Sequence, residues 1–167
     1  MPFKIGNANI GLRNTLPEEI LTVRSMESHT DNNRFVLNYS AERHRQVIES
    51  SDEEHLTIWD KATNEMIGYV ILAGLSNPNL SLELRRLVIQ SKGKGFGRQV
   101  VKLIKQYCFE QLRFHRLWLD VYEDNERAIH LYRSEGFVQE GTLRDSQKDG
   151  DGYRSQLLFS ILESECY

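Results

Sequence analysis

Cysteine is scarce in this chain of 167 residues: there are two, Cys108 inside an amphipathic stretch and Cys166 one residue from the end. A disulfide scaffold needs more of them, and neither has metal-ligand spacing. The five histidines, His29, His44, His55, His115 and His130, include no His-x-x-x-His or similar pair, so no zinc site is expected. No apolar run of about 18 residues is present, and the opening Met-Pro-Phe-Lys-Ile-Gly lacks the apolar core of a secretory signal. A cytoplasmic protein without a membrane partner is therefore expected. A basic excess is missing too: the formal net charge is −3, which argues against nucleic acid as a partner. There is no internal repeat and no low-complexity segment.

What is present suits one globular domain over residues 1–167, since 40% hydrophobic residues in a chain of this length supply an independent core. A short strand is expected at Ile10–Asn14. Pro17, with Glu18 and Glu19 behind it, starts a helix to about Met26, and residues 28–33 break it. A helical segment over 34–37 is expected, then a helix through Glu49 capped by Ser40. Residues 55–59 and 66–75 read as an antiparallel hairpin, and residues 80–90 as the next strand. Phe96, Val100, Ile104, Tyr107, Cys108 and Leu112 recur at helical spacing, leaving Arg98, Lys102 and Lys105 on a side read as solvated rather than as a contact to a ribose phosphate. Residues 116–122 alternate as a strand, Asp124 or Asn125 caps a helix, and Gly136 ends it in the left-handed conformation. Strands over 137–143 and 153–162 flank a long loop at 145–152. The sum is an α+β order, a mixed sheet with helices on both faces.

Two motifs stand out. In Leu82-Glu-Leu-Arg-Arg-Leu-Val-Ile-Gln-Ser-Lys-Gly-Lys-Gly-Phe-Gly97 a strand runs into a glycine loop and a helix, an arrangement that offers unpaired amides and a helix dipole to phosphate. Arg98 stands where a dinucleotide fingerprint needs its third glycine, and no Gly-Lys-Ser/Thr exists for a P-loop. What remains is Lys92-x-x-Gly95-x-Gly97. The second motif is Asn125-Glu-Arg-Ala128-Ile-His-Leu131-Tyr132-Arg-Ser-Glu-Gly136-Phe137. By themselves the glycines also fit a plain tight turn, Tyr132 a core aromatic, and Asn125 a helix cap.

Together, over roughly residues 67 to 162, the motifs resemble the GNAT superfamily of N-acetyltransferases, nearest to the branch of ribosomal-protein N-terminal acetyltransferases; Lys92 departs from the usual Gln or Arg. The resemblance implies one mostly antiparallel sheet of six or seven strands, acetyl-coenzyme A as acetyl donor, no metal, and direct transfer to a primary amine of a protein N-terminus or a small molecule. A homodimer is compatible with it. The pyrophosphate is expected on the backbone of Lys94, Gly95, Phe96, Gly97 and Arg98, and the pantetheine beside Leu87, Val88 and Ile89, with Val88 N–H aimed at the thioester oxygen and Asn125 as a further contact. Tyr132 is the expected proton donor to the thiolate. Glu83 is either the base for the amine or one half of an ion pair with Arg85, because residues 83, 85 and 87 of an uninterrupted strand share a face. The acceptor pocket is expected between residues 24–40 and 144–153. A non-enzymatic acyl-coenzyme A sensor is the alternative, and Tyr132 speaks against it, since binding alone has no need of a proton donor.

Overall fold

Strand-forming runs of aliphatic and aromatic residues dominate the chain, and a computed structural model, which describes residues 2–29, 35–90 and 92–166, gathers them into one eight-stranded sheet. In chain order the elements are β1 (Ile5–Gly6), β2 (Ile10–Asn14), a 3-10 turn (Pro17–Glu19), α1 (Ile20–Ser28), α2 (Ala41–Glu49), β3 (Glu53–Asp60), β4 (Glu65–Ala73), β5 (Ser81–Ile89), α3 (Phe96–Gln106) with a wider last turn (Tyr107–Gln111), β6 (Arg116–Tyr122), α4 (Glu126–Ser134), β7 (Val138–Asp149), β8 (Gly152–Leu162) and the short α5 (Glu163–Cys166). The strand order is β1-β2-β3-β4-β5-β6-β8-β7. Every neighbouring pair is antiparallel except β5 and β6.

Helices cover both faces, as the element order implied. Val100, Val101, Leu103 and Ile104 of α3 pack into the larger core with Leu82, Leu84, Leu117 and Leu119. On the opposite face Val23 and Met26 of α1 and Val47 of α2 meet Tyr69, Ile71 and Val88. Ser40 caps α2 by accepting from Arg43 N–H, and Gly136 takes φ 94° after α4, both as expected.

Four readings change. Strand β1 was not foreseen, because two residues carry no pattern. Residue 34 lies outside the described residues, and 35–37 are not helical: Phe35 and Val36 turn and bend the chain. The expected loop at 145–152 is mostly strand: β7 runs to Asp149, and Gly150 and Asp151 alone turn the chain, Gly150 at φ 60°. The register shift between Leu143 and Gln147 explains the misreading, since an irregular stretch with Asp145 at φ 50° interrupts the alternation. Finally, Arg98, Lys102 and Lys105 do not face solvent alone, as described below.

Candidate active site

The site begins where β5 and β6 part. They pair in parallel at Ser81↔Arg116, Leu82↔Leu117 and Glu83↔Trp118 and no further, after which β5 follows β4 and β6 follows β8. A bulge helps part them: Ile71 pairs with Arg86 and Leu72 with Leu84, so Arg85 is the extra residue and β5 bends there. The bulge also shifts the side-chain phase. Leu87 and Ile89 fall with Leu82 and Leu84 on the larger core, and Glu83 does not share their face, contrary to the regular alternation expected.

A cleft of about 650 Å³ lies at this gap, lined by Leu87, Ile89, the glycine loop, Asn125 and Tyr132, with Phe35 and Val36 as a further wall. From the hairpin β7–β8, Arg154 stacks on Tyr122 at 3.6 Å and lies 5.6 Å from the Phe35 ring. Arg154, one residue past the second stretch expected to wall the acceptor pocket, thus approaches the first.

At the other end of the cleft Gly93 and Gly95 have φ 81° and 75°, a conformation that disfavours side chains, and no heavy atom lies within 4 Å of a Cβ built on either. Gly95 begins α3 without a side-chain cap, and the first turn closes only with Gln99 N–H donating to Gly95 O at 3.3 Å. The amides of Phe96, Gly97 and Arg98 therefore lack intrahelical acceptors and suit a phosphate. Gly97 permits close packing, its Cβ position lying 3.5 Å from Leu131. Lys94, expected to contribute its backbone amide, lines a separate hollow with Asn9, Asp60 and Lys61.

Arg98 lines the cleft and donates to Glu135 at 2.7 Å, while Lys102 and Lys105 stand 3.2 and 3.3 Å from the same carboxylate. Burial alone would raise the Glu135 carboxyl, but the cations of Lys102, Arg98 and Lys105 around it outweigh that and hold it low. The stripe read as solvated is a clamp between α3 and the end of α4. Three cations four and three residues apart on one helix side were a signal for a shared anion, although the sequence did not say which.

At the reacting end, Tyr132 is 8% exposed, with Phe137 edge-on at 5.6 Å. Its hydroxyl has no hydrogen-bond partner among the described residues, and burial, with the charge of Asp120 adding, pushes the phenol above its usual range. It stays protonated at neutral pH. Asn125 Oδ1 accepts from Ala128 N–H at 3.3 Å, so it caps α4, and it also lines the cleft. Glu83, 14% exposed, is ion-paired with Arg85 at 2.9 Å, and Arg85 reaches Glu53 at 3.0 Å.

Val88 is the clearest correction. Gln90 N–H donates to Ile67 O at 2.8 Å, and every second pair of an antiparallel ladder repeats that arrangement, so Val88, opposite Tyr69, turns its N–H toward β4. Gly68 agrees, because a Cβ there would strike the Val88 carbonyl. The amides that face the divide belong to Leu87 and Ile89. Asp120 was missed altogether. It sits two residues past Trp118 at the mouth of the divide, accepts from Gln156 at 3.1 Å, and is raised by the surrounding protein first and by Glu83 next, although its side chain is exposed. A lone carboxylate at a solvent-facing strand position gave no sign of this.

Residues 22–137 match the model of the acetyltransferase (GNAT) family. The spermidine N(1)-acetyltransferase of Vibrio cholerae is 27% identical over 163 residues, covering 87% of this chain and 94% of that protein. Its counterpart in Escherichia coli is 28% identical over 145 residues, 81% of this chain and 78% of that protein. The crystal structure of spermidine N-acetyltransferase from Vibrio cholerae in complex with CoA and spermine superposes with a TM-score of 0.85 at 25% identity, over 96% of this chain and 99% of that one. None of the three is a ribosomal-protein acetyltransferase, and the branch expected from the motifs is corrected accordingly.

Proposed function

We propose that this chain, which belongs to the acetyltransferase (GNAT) family, passes the acetyl group of acetyl-coenzyme A to a primary amine of a polyamine, by direct attack in a ternary complex. The observation that carries the reading is the parting of β5 from β6, with an open glycine cradle at one end and a protonated, unpartnered phenol at the other. The empty Cβ positions of Gly93 and Gly95 and the free amides of α3 fit a pyrophosphate. Acetyl-coenzyme A supplies an activated acyl carbon and a thiolate leaving group.

The residues divide the work. Backbone of Gly95, Phe96, Gly97 and Arg98 holds the diphosphate, with Lys94 contributing its amide alone. Leu87 and Ile89 present strand amides to the pantetheine as an added strand would be received, and one of them replaces Val88 as donor to the thioester oxygen. The Asn125 amide borders the same channel. Glu83 and Asp120 take the ammonium proton directly or through water, Asp120 helped by a raised carboxyl and Glu83 hindered by its pairing with Arg85. Tyr132 gives its proton to the departing sulfur.

A polyamine is favoured over a protein N-terminus by the relatives, which are spermidine N-acetyltransferases. The test is initial-rate coenzyme A release with spermidine, spermine, a diamine, an aminoglycoside and a peptide bearing a free N-terminus, with intact mass of each product. Spermidine or spermine should give the highest kcat/KM and a product heavier by one acetyl group. A peptide acetylated faster than either polyamine would overturn the acceptor.

A further inference from the structure

Beneath the wall of the cleft at Phe35 and Val36 runs a line of buried polar side chains that acetyl transfer does not use. Thr15, Glu27, His44, His55 and Tyr69 are all buried, and they come from the end of β2, α1, α2, β3 and β4. Thr15 Oγ1 lies 2.7 Å from His55 Nδ1, His55 Nε2 lies 3.0 Å from His44 Nδ1, and His44 Nε2 lies 2.9 Å from Glu27 Oε1. The Tyr69 hydroxyl donates to Glu27 Oε2 at 2.6 Å. Arg86 Nη1 donates to that same oxygen and to the carbonyl of Leu37, each at 2.5 Å.

One assignment of protons satisfies the whole line. Thr15 O–H donates to His55 Nδ1, His55 Nε2–H to His44 Nδ1, and His44 Nε2–H to Glu27. The Glu27 anion is then balanced by the Arg86 cation. A carboxylate this deep is tolerated only with donors on its oxygens and a cation beside it, and all are here. The other end of the line is in the wall. Besides the Leu37 carbonyl, the Arg86 guanidinium stacks 3.8 Å from the Tyr39 ring, and Arg43, paired with Glu53 at 2.7 Å, lies 5.3 Å from the same ring. Glu53 also holds Arg85, the partner of Glu83. Two polar chains, one from Thr15 and one from Glu83, therefore end on residues 35–39. Leu37 is exposed, so the middle of that segment is fixed by its carbonyl and not by burial of its side chain.

We propose that Arg86, anchored by Glu27, is a positioning residue for the acceptor amine. By gripping the Leu37 carbonyl and the Tyr39 ring it sets where Phe35 and Val36 stand, so amine affinity depends on groups that never touch the amine. This rests on the proposed acceptor site at the Phe35 and Val36 wall of the cleft. The glycine loop lies at the far end of the cleft, so the donor should be indifferent to the change.

The experiment is a pair of KM values, for spermidine and for acetyl-coenzyme A, in the wild-type chain and in Arg86→Met, Glu27→Gln and Tyr39→Leu. Amine KM should rise about tenfold or more in Arg86→Met and Tyr39→Leu, with acetyl-coenzyme A KM within about twofold. Arg86→Met should add little to Glu27→Gln, because both cut one chain. Tyr39→Leu alters a half-buried ring outside the buried line, and it decides the matter if the buried variants do not fold. An amine KM within about twofold of wild type in Tyr39→Leu, or amine and donor KM rising in parallel, would overturn the positioning role. A wild-type chain that acetylates no amine would overturn the proposed function instead, which keeps the two failures apart.

Discussion

Glu83 meets its competitor for catalysis in its own neighbour, since the Arg85 guanidinium holds it at 2.9 Å while Asp120 stands at the mouth of the divide with a raised carboxyl. If Asp120 shares the proton from the amine, the acidic limb of kcat/KM lies above the ordinary carboxylate value of 3.8, and Asp120→Asn moves that limb or removes it. Glu83→Gln should lower turnover most at low pH, where free amine is scarce, and less as pH rises. A pH–rate profile of the three proteins checks both; curves that run parallel to wild type within about two- to threefold assign the proton to water. That Tyr132, Asn125 and the glycines belong to one cleft was readable because the chain sets them within short motifs. Asp120, Glu135, and the line from Thr15 to Arg86 were not, because each acquires its role from residues tens of positions away. His44 and His55 show it well: 11 residues apart and unremarkable in spacing, they hydrogen-bond to each other in the core.

The elements themselves were largely visible, from the capped α2 to the strand that enters the glycine loop, because periodicity and turn residues are local. The bulge at Arg85 was not, and it matters most, since it parts β5 from β6 and decides which amides face the divide. Nothing in Leu-Glu-Leu-Arg-Arg-Leu-Val-Ile announces which residue will be left unpaired; β4 decides that. The same is true of β7, whose extension to Asp149 is set by pairing with β8. At the glycine loop, Gly95→Val adds a branched side chain where φ is 75° and where the proposed diphosphate site lies, so acetyl-coenzyme A affinity should fall by at least about tenfold. Calorimetry on the folded variant checks this; an unchanged affinity would remove the loop from the site. Gly68→Ala acts from the other edge, pushing on the Val88 carbonyl, and should lower the unfolding midpoint in urea.

For the whole molecule, the buried line beneath the wall ties stability to pH. Burial pushes His55 from 6.5 down to about 3, so the folded protein keeps it neutral while the unfolded chain takes up a proton. Stability from this residue is complete above about pH 6.5 and falls by about 1.4 kcal/mol per unit as pH drops toward 3. Glu27 acts in the same direction lower down: burial alone would raise it, but hydrogen bonds from His44 and Tyr69 outweigh that, so its contribution, full above 4.5, is lost as pH falls through its lowered value. Urea unfolding at pH 7, 6 and 5 should show the decline, and His55→Leu should flatten it by about one proton; equal slopes in the two proteins would mean that His55 is not the source. The two ends of the cleft meet in a single comparison, acetyl-coenzyme A affinity and steady-state turnover of Tyr132→Phe against wild type. With the ring and its contact to Phe137 kept and only the hydroxyl removed, turnover should drop about 10²-fold while affinity holds within about twofold. Turnover at the wild-type rate would contradict the assignment of the divide between β5 and β6 as the place where the thiolate receives its proton.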